Sequence, residues 1–227
     1  MSEAKPIRVL LVDDHHALAD PLSKLLAHEA DIRVVGTAYS VADARQLLRE
    51  RLDVVLMDYG LPDGTGAEAT RAVKARWPGA RVVMLTAKDD DETVLDSIQA
   101  GADGFLSKTA TIDEVVAAVR AAHAGETLLP PSVIAKIAQR VAVAREQGVE
   151  RRQIEPLTAR ELEVLRALSE GLATRDICDR MFIAPNTLRT HVQNITGKLH
   201  VHSKLEAVAF ALRYGLVEPP TVNDRLY

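Results

Sequence analysis

A single cysteine, Cys178, is all the thiol this 227-residue chain holds. That excludes an internal disulfide framework and a multi-cysteine zinc site. Its expected place is as a small core residue, since a redox role needs exposure and a lowered pKa. No apolar run approaches the roughly 18 residues of a membrane span. The first apolar stretch, Ile7–Val12, is too short for a signal segment, and the residues before it are polar. There is no low-complexity tract and no evident internal repeat. A soluble, cytoplasmic protein is the expectation. Hydrophobic residues are plentiful at 47%, enough for buried cores. The length favours one large or two modest domains.

Charge is short on the positive side overall, with a net of −4, but it is unevenly spread. Residues 1–125 hold 14 Lys+Arg against 20 Asp+Glu, and residues 126–217 hold 13 against 10. From Arg180 to Leu205 there is no acid at all, while Arg180, Arg189, Lys198 and Lys204 are present. A local basic stretch matters more for nucleic-acid contact than the chain average.

The first half alternates short apolar, β-rich runs with helical patterns. Ile7–Val12, Arg33–Ala38, Val54–Met57, Arg81–Leu85 and Gly104–Leu106 read as buried strands. Between them lie amphipathic stretches, the last with Ile112, Val115, Val116 and Val119 at i, i+3, i+4 and i+7. Thr111 and Glu114 have capping-box spacing at its start. Five such repeats imply an α/β fold: a five-stranded parallel sheet, doubly wound like flavodoxin, with helices on both faces. After Gly125 the pattern changes. Pro130 and Pro131 open a helical segment, Ser132 to Glu146, within a linker. From Leu157 onward no strand pattern is present, and helices are expected over 159–170, 173–180, 186–199 and 203–214. The expected organisation is a first domain over 1–125, a linker with a helix over 126–153, an all-α four-helix domain over 154–217 and a tail over 218–227.

Chemistry concentrates at the strand ends. Asp13 and Asp14 follow the first strand and Asp58 follows the third, so they converge on the carboxyl edge of a parallel sheet, where sites form. Three carboxylates in a small volume repel one another, and an oxygen-liganded divalent cation such as Mg²⁺ relieves this. Thr86 ends the fourth strand and Lys108 follows the fifth. A nucleophilic carboxylate, a metal, an ammonium and a hydroxyl are the equipment for in-line phosphoryl transfer to an aspartate. His15 and His16 match no ligand spacing and read as surface residues at a helix start. Asp89–Glu92 reads as a charged helix N-terminus.

Residues 7–123 resemble a response-regulator receiver domain. The match is carried by Leu11-Val12-Asp13-Asp14-His15, Met57-Asp58, Leu61-Pro62-Asp63-Gly64-Thr65-Gly66, Leu85-Thr86-Ala87 and Gly101 to Lys108. The resemblance implies that Asp58 accepts a phosphoryl group from a histidine kinase. It also implies that Asp14, Asp58 and the Gly60 carbonyl hold Mg²⁺, with Asp13 close by through water, and that Thr86 and Phe105 form a switch pair. Thr109 is a departure, because many receivers carry proline there.

In the second half, Leu188, Val192, Ile195 and Leu199 share one helix face. Asn186, Thr190, Gln193, Asn194 and Gly197 lie opposite, with Arg189 at the edge. Amide, hydroxyl and guanidinium groups facing outward are what base-edge readout needs. A short turn joins this helix to the one before it, as a helix-turn-helix requires. Residues 157–217 resemble the LuxR-type helix-turn-helix of NarL/FixJ-family regulators. The match runs through Leu157-Thr158-Ala159-Arg160-Glu161-Leu162, Gly171-Leu172-Ala173-Thr174, Asn186 to Val192, Lys198-Leu199 and Glu206-Ala207-Val208. It implies that Arg189, Thr190 and Gln193 enter the major groove of promoter DNA, while Thr187, His191 and Lys198 lie near phosphates or support the turn. The final helix often serves homodimer contact in this family. Ala184 departs from the usual Ser or Thr cap, which costs the helix about 1 kcal/mol, and Gly197 costs it about as much again relative to alanine.

The expected function is a transcription factor controlled by phosphorylation, not an enzyme. An aspartate-nucleophile phosphatase of the haloacid-dehalogenase type is the competing reading. It needs a second aspartate two residues after the first as general acid, and that position here is Gly60. A DNA-binding protein whose receiver is never phosphorylated is a third reading, opposed by the intact acceptor set.

Overall fold

The computed structural model describes residues 5–86, 91–126 and 155–218. The expected linker helix, residues 89 and 90 of the acidic run and most of the C-terminal tail lie outside the described residues. The chain separates into two units, Met1–Leu128 and Leu129–Tyr227. Each is described by itself.

In the first unit the strands are β1 (Ile7–Val12), β2 (Ile32–Ala38), β3 (Val54–Asp58), β4 (Arg81–Thr86) and β5 (Gly104–Ser107). The helices are α1 (His16–Leu26), α2 (Val41–Leu47), α3 (Gly66–Arg76), α4 (Asp91–Gln99) and α5 (Ile112–Ala124). All five strands pair in parallel, in the order β2-β1-β3-β4-β5. Val, Ile and Leu fill β1, β3 and β4, and their side chains are buried on both faces, as a sheet covered by helices on each side demands. One face packs Ile7, Val9, Leu11, Leu56, Val83 and Leu85 against Val115, Val116 and Val119 of α5. The expected capping box at Thr111 and Glu114 is present, and α5 ends at Gly125 with φ 83°. A left-handed residue there suits glycine.

Three strands run one residue past their expected ends. Asp58 pairs in register with Leu85, and Thr86 with Ser107. Asp58 and Thr86 are therefore held on the sheet itself rather than in loops. Gly66, at the start of α3, allows the chain to return tightly, and its amide donates to the Tyr59 carbonyl at 2.7 Å. A Cβ on Gly66 would lie 2.0 Å from the carbonyl oxygen of Asp58. Away from the site, buried Asp103 accepts from Lys74 at 2.6 Å and from Arg81 at 2.9 Å, which ties α3 to the lower edge of the sheet.

The second unit contains α6 (Ala159–Ser169), α7 (Thr174–Met181), α8 (Pro185–Leu199) and α9 (Lys204–Tyr214). These match the expected helices to within a residue or so. Leu188, Val192, Ile195 and Leu199 of α8 are buried as their spacing predicts, alongside Val164, Leu165, Ile177, Leu205 and Val208 from the other helices. Among the described residues, no helix is long and apolar enough to cross a membrane.

Candidate functional site

Parallel pairing brings the ends of β1, β3, β4 and β5 to one edge, on either side of the place where strand order reverses between β1 and β3. Asp13 follows β1 with 0% exposure, and Asp58 closes β3 at 7%. The Lys108 ammonium enters from just beyond β5. It lies 2.8 Å from Oδ2 of Asp13 and 2.8 Å from Oδ2 of Asp58. Its backbone is fixed as well, because the Lys108 amide donates to the Thr86 carbonyl at 2.8 Å. Asp58 Oδ1 accepts from the Tyr59 amide at 2.8 Å.

With Asp14 present, three carboxylates face one ammonium, and two negative charges are left over. Asp13 Oδ2 shares the Lys108 ammonium with Asp58, and Asp14 Oδ1 lies 2.7 Å from His15 Nδ1. Burial lifts the Asp58 carboxyl above the ordinary aspartate range. Lys108 pulls it down, and the Asp13 charge pushes it up again. Burial by itself would lower the Lys108 ammonium, but its bonds to Asp13 and Asp58 together outweigh that and raise it. The pocket therefore strains against its own charge, which is the state an added cation relieves.

The other expected residues fall as follows. Thr86 is partly exposed at the end of β4, and Phe105 is buried on β5 in register with Met84. Gly60 is exposed and begins a short antiparallel ribbon, Gly60–Leu61 with Gly64–Thr65. Thr109, where the expected pattern has proline, closes its loop by bonding to Ser107 Oγ through both its amide and its hydroxyl.

In the helical unit, Asn186, Thr187, Arg189, Thr190, Gln193 and Asn194 are exposed on α8, and His191 is partly so. Ala184 occupies the N-cap in the extended conformation that a cap needs, and makes no side-chain bond there. The basic stretch is narrower than the sequence implies. Arg180 pairs with Glu170, the C-cap of α6. Lys198 lies 2.7 Å from buried Glu161, itself part of the capping box on Thr158. Arg189 is exposed and, among the described residues, makes no ion pair.

Comparison with known proteins agrees with this two-part geometry. Residues 9–120 match the family described as the response regulator receiver domain. Residues 155–211 match that of bacterial regulatory proteins, luxR family. An uncharacterized transcriptional regulatory protein of Bacillus subtilis (strain 168), YxjL, is 35% identical over 213 residues, covering 93% of this chain and 98% of that protein. The response regulator VraR of Staphylococcus aureus (strain NCTC 8325 / PS 47) is 34% identical, covering 93% and 99% respectively.

The chain belongs to the LuxR-type response regulators.

Among solved structures, a LuxR-family two-component response regulator from Aurantimonas sp. SI85-9A1 superposes with a TM-score of 0.54 at 31% identity, covering 61% of this chain and 99% of that one. This response regulator is accordingly a DNA-binding transcription regulator of the two-component type.

The contacts of two residues at the regulator's site were not foreseen by sequence reasoning. Asp63, in the ribbon after Asp58, accepts from the Val41 and Ala42 amides at 2.7 and 2.9 Å and caps α2 across the sheet edge. Those amide bonds hold its carboxyl below the ordinary range. An acid directly after Leu61-Pro62 in a turn carries no signal that it caps a distant helix. His15 is the second. It was expected as a surface residue, and its ring is indeed 68% exposed, but Nδ1 points inward, 2.7 Å from Asp14 Oδ1 and 3.2 Å from Asp13 Oδ1. His16 instead stacks on Tyr39 at 3.8 Å between ring centroids. Cys178 is buried, and burial raises its thiol, which leaves it an unreactive core residue.

Proposed function

We propose that Asp58 accepts a phosphoryl group from a sensor histidine kinase, and that this modification controls promoter binding by α8. The observation that carries the proposal is Lys108 bridging Asp13 and Asp58 at 2.8 Å while two carboxylate charges stay uncompensated. In the transfer, a carboxylate oxygen of Asp58 forms a bond to phosphorus as the bond from phosphorus to the donor imidazole breaks. The imidazole leaves with its electron pair. Lys108 then pairs with a phosphoryl oxygen in place of its present partner. Thr86 and Phe105 are the proposed switch residues, the hydroxyl following the new oxygens and the ring following the hydroxyl.

The donor set fits Mg²⁺. It is all oxygen where the carboxylates converge, and the one ammonium among them is shared between two carboxylates of the three. Asp13, Asp14, Asp58 and the Gly60 carbonyl are the proposed ligands. Bound there, the ion neutralises charge on the transferring group.

On the output side, Arg189, Thr190 and Gln193 are proposed for base edges, with Asn186, Thr187, His191 and Asn194 beside them. Lys198 is proposed to orient the reading helix through Glu161 more than to meet phosphate. The proposed organisation is a receiver over 1–125, a linker over 126–153, a DNA-binding domain over 154–217 and a tail over 218–227, in a cytoplasmic protein. Homodimerisation on phosphorylation or DNA binding belongs to the same reading. An apolar groove of about 200 Å³, lined by Leu18, Leu22, Leu25 and Ile112 with Lys108 at its edge, offers a surface for it.

Acetyl phosphate with Mg²⁺ tests the acceptor. Intact-mass measurement should find one added phosphoryl group on the wild type and none on Asp58→Asn. A variant labelled to full stoichiometry would remove Asp58 from the role. Steady turnover of a small phosphate ester would instead favour the phosphatase reading.

A further inference from the structure

Among the described residues of the helical unit, Phe182 is the one large apolar side chain left in the open, at 95% exposure. Its backbone adds to the cost. Phe182 closes α7 with φ 53° and ψ 45°, in the left-handed region. Glycine or asparagine usually fills that place, and a bulky side chain there is strained. His200 shares the conformation, but histidine is among the types enriched in it. The turn is nonetheless firmly held. The Ile183 amide donates to the Cys178 carbonyl at 3.0 Å, and the Arg160 guanidinium donates to the Met181 carbonyl at 2.5 Å. The ring thus projects from a fixed backbone while burying almost nothing against its own unit.

We propose that Phe182 is an apolar base contact, packing against the 5-methyl group of a thymine in the major groove when α8 reads DNA. The inference rests on reading α8 as the DNA-binding helix, as above. Phe182 sits in the turn that leads into Pro185, the first residue of α8. In a helix-turn-helix the N-terminal end of the second helix is what meets base edges. That end carries an apolar lip here, because Phe182, Ala184 and Pro185 are all exposed and bring no polar side chain. Ala184 stands where a hydroxyl cap is preferred, so the same departure extends the lip. Polar and cationic groups begin just beyond it, with Asn186, Thr187 and Arg189. No acid occurs from Arg180 to Leu205 to repel a duplex. An apolar ring inside an acid-free, cation-flanked stretch suits a polyanion that presents methyl groups. The thymine methyl is the apolar feature of the major groove, and phenylalanine is among the side chains that meet it. A ring carried on a fixed turn has little freedom to lose on binding.

The test compares the full-length protein with Phe182→Gly, in beryllofluoride and Mg²⁺, on DNA that the wild type selects from its own genome. Glycine relieves the left-handed backbone, so the variant should melt at or above the wild-type temperature. It should nevertheless bind the selected DNA about tenfold more weakly, as loss of an aromatic anchor commonly does. Each thymine of the site is then replaced singly by uracil, which removes only the methyl group. At the contacted thymine the wild type should lose about fourfold in affinity, the worth of one methyl group withdrawn from water, and Phe182→Gly should lose nothing there. The salt dependence of binding should be the same in both proteins, because no charge is removed. A variant that keeps wild-type affinity, a changed salt dependence, or uracil losses that persist in the variant overturns the proposal. Unchanged DNA affinity with transcription by RNA polymerase lost would assign the ring to a protein contact, and overturns it equally. A wild type that selects no DNA sequence overturns the reading of α8 beneath it, which is a separate result from selective binding with no dependence on Phe182.

Discussion

At the scale of single residues, the acidic pocket around Asp58 is built against stability. A buried carboxyl whose pKa is raised on folding costs stability wherever the unfolded chain would ionise it, that is, above about pH 3.9. Asp58 is raised chiefly by burial. Asp58→Asn should therefore melt higher than wild type at neutral pH without metal, by on the order of 1 kcal/mol, as is common when a functional strain is removed. Mg²⁺ should raise the melting temperature of the wild type and leave the variant unmoved. A variant that melts lower would mean that Lys108 depends on Asp58 more than the pocket suffers from it. Glu161 has the opposite sign. Burial would raise its carboxyl, but Lys198 and the Thr158 amide and hydroxyl outweigh that and lower it. Its contribution is present above the unfolded value of about pH 4.3 and is lost as pH falls through the lower folded value. In chemical denaturation, Glu161→Gln should cost the DNA-binding domain about 1–3 kcal/mol at neutral pH and flatten its loss of stability in acid.

Asp13, Asp14, Asp58, Thr86 and Lys108 were all legible in the sequence, because a parallel sheet places every strand end on one edge whatever the side chains do. His15 was not. Whether a residue at a helix start turns outward or back over the preceding strand depends on its χ angles and on neighbours from other elements, and no sequence period encodes that. Lys198 and Arg180 were legible as cations but not as spent ones, since their partners Glu161 and Glu170 lie 37 and 10 residues away.

At the scale of elements, the strands and helices followed from apolar periodicity to within a residue or two, which is where such reading usually ends. The exceptions carry meaning. β3 and β4 take in Asp58 and Thr86 because backbone pairing continues to the last residue that has a neighbour, while polarity alone marks those residues as loop. The ribbon at 60–65 is too short for any pattern to declare it. Gly66 is the element-level constraint that matters most. Gly66→Ala would press a methyl group into the carbonyl of Asp58. It should destabilise the receiver by about 1–3 kcal/mol and slow phosphoryl uptake, read by thermal melting and by labelling rate. The reading helix offers the reverse case. Ala184 already has cap geometry, and a Cβ on Gly197 would meet nothing within 4 Å. Ala184→Ser and Gly197→Ala should each stabilise the DNA-binding domain by about 1 kcal/mol, checked by denaturant midpoint. No gain from either would mean that α8 is already fully ordered by its packing on α6 and α9.

At the scale of the whole molecule, charge divides as function does. The acidic excess lies in the receiver half, and the basic excess follows it. The modest net charge hid this division until it was counted by segment. Even within the basic half, most of the useful positive potential on α8 reduces to Arg189, so DNA affinity should be moderate in one copy and should gain from pairing two. The central claim is that chemistry at Asp58 sets affinity at α8. Its most direct measurement is the binding of the full-length protein to DNA selected from its own genome, with and without beryllofluoride and Mg²⁺. The account predicts that the phosphoryl mimic tightens binding by about tenfold or more, within the usual range of allosteric coupling, and leaves Asp58→Asn unchanged. Equal affinity with and without the mimic, in a wild type shown to have bound it, would contradict the account.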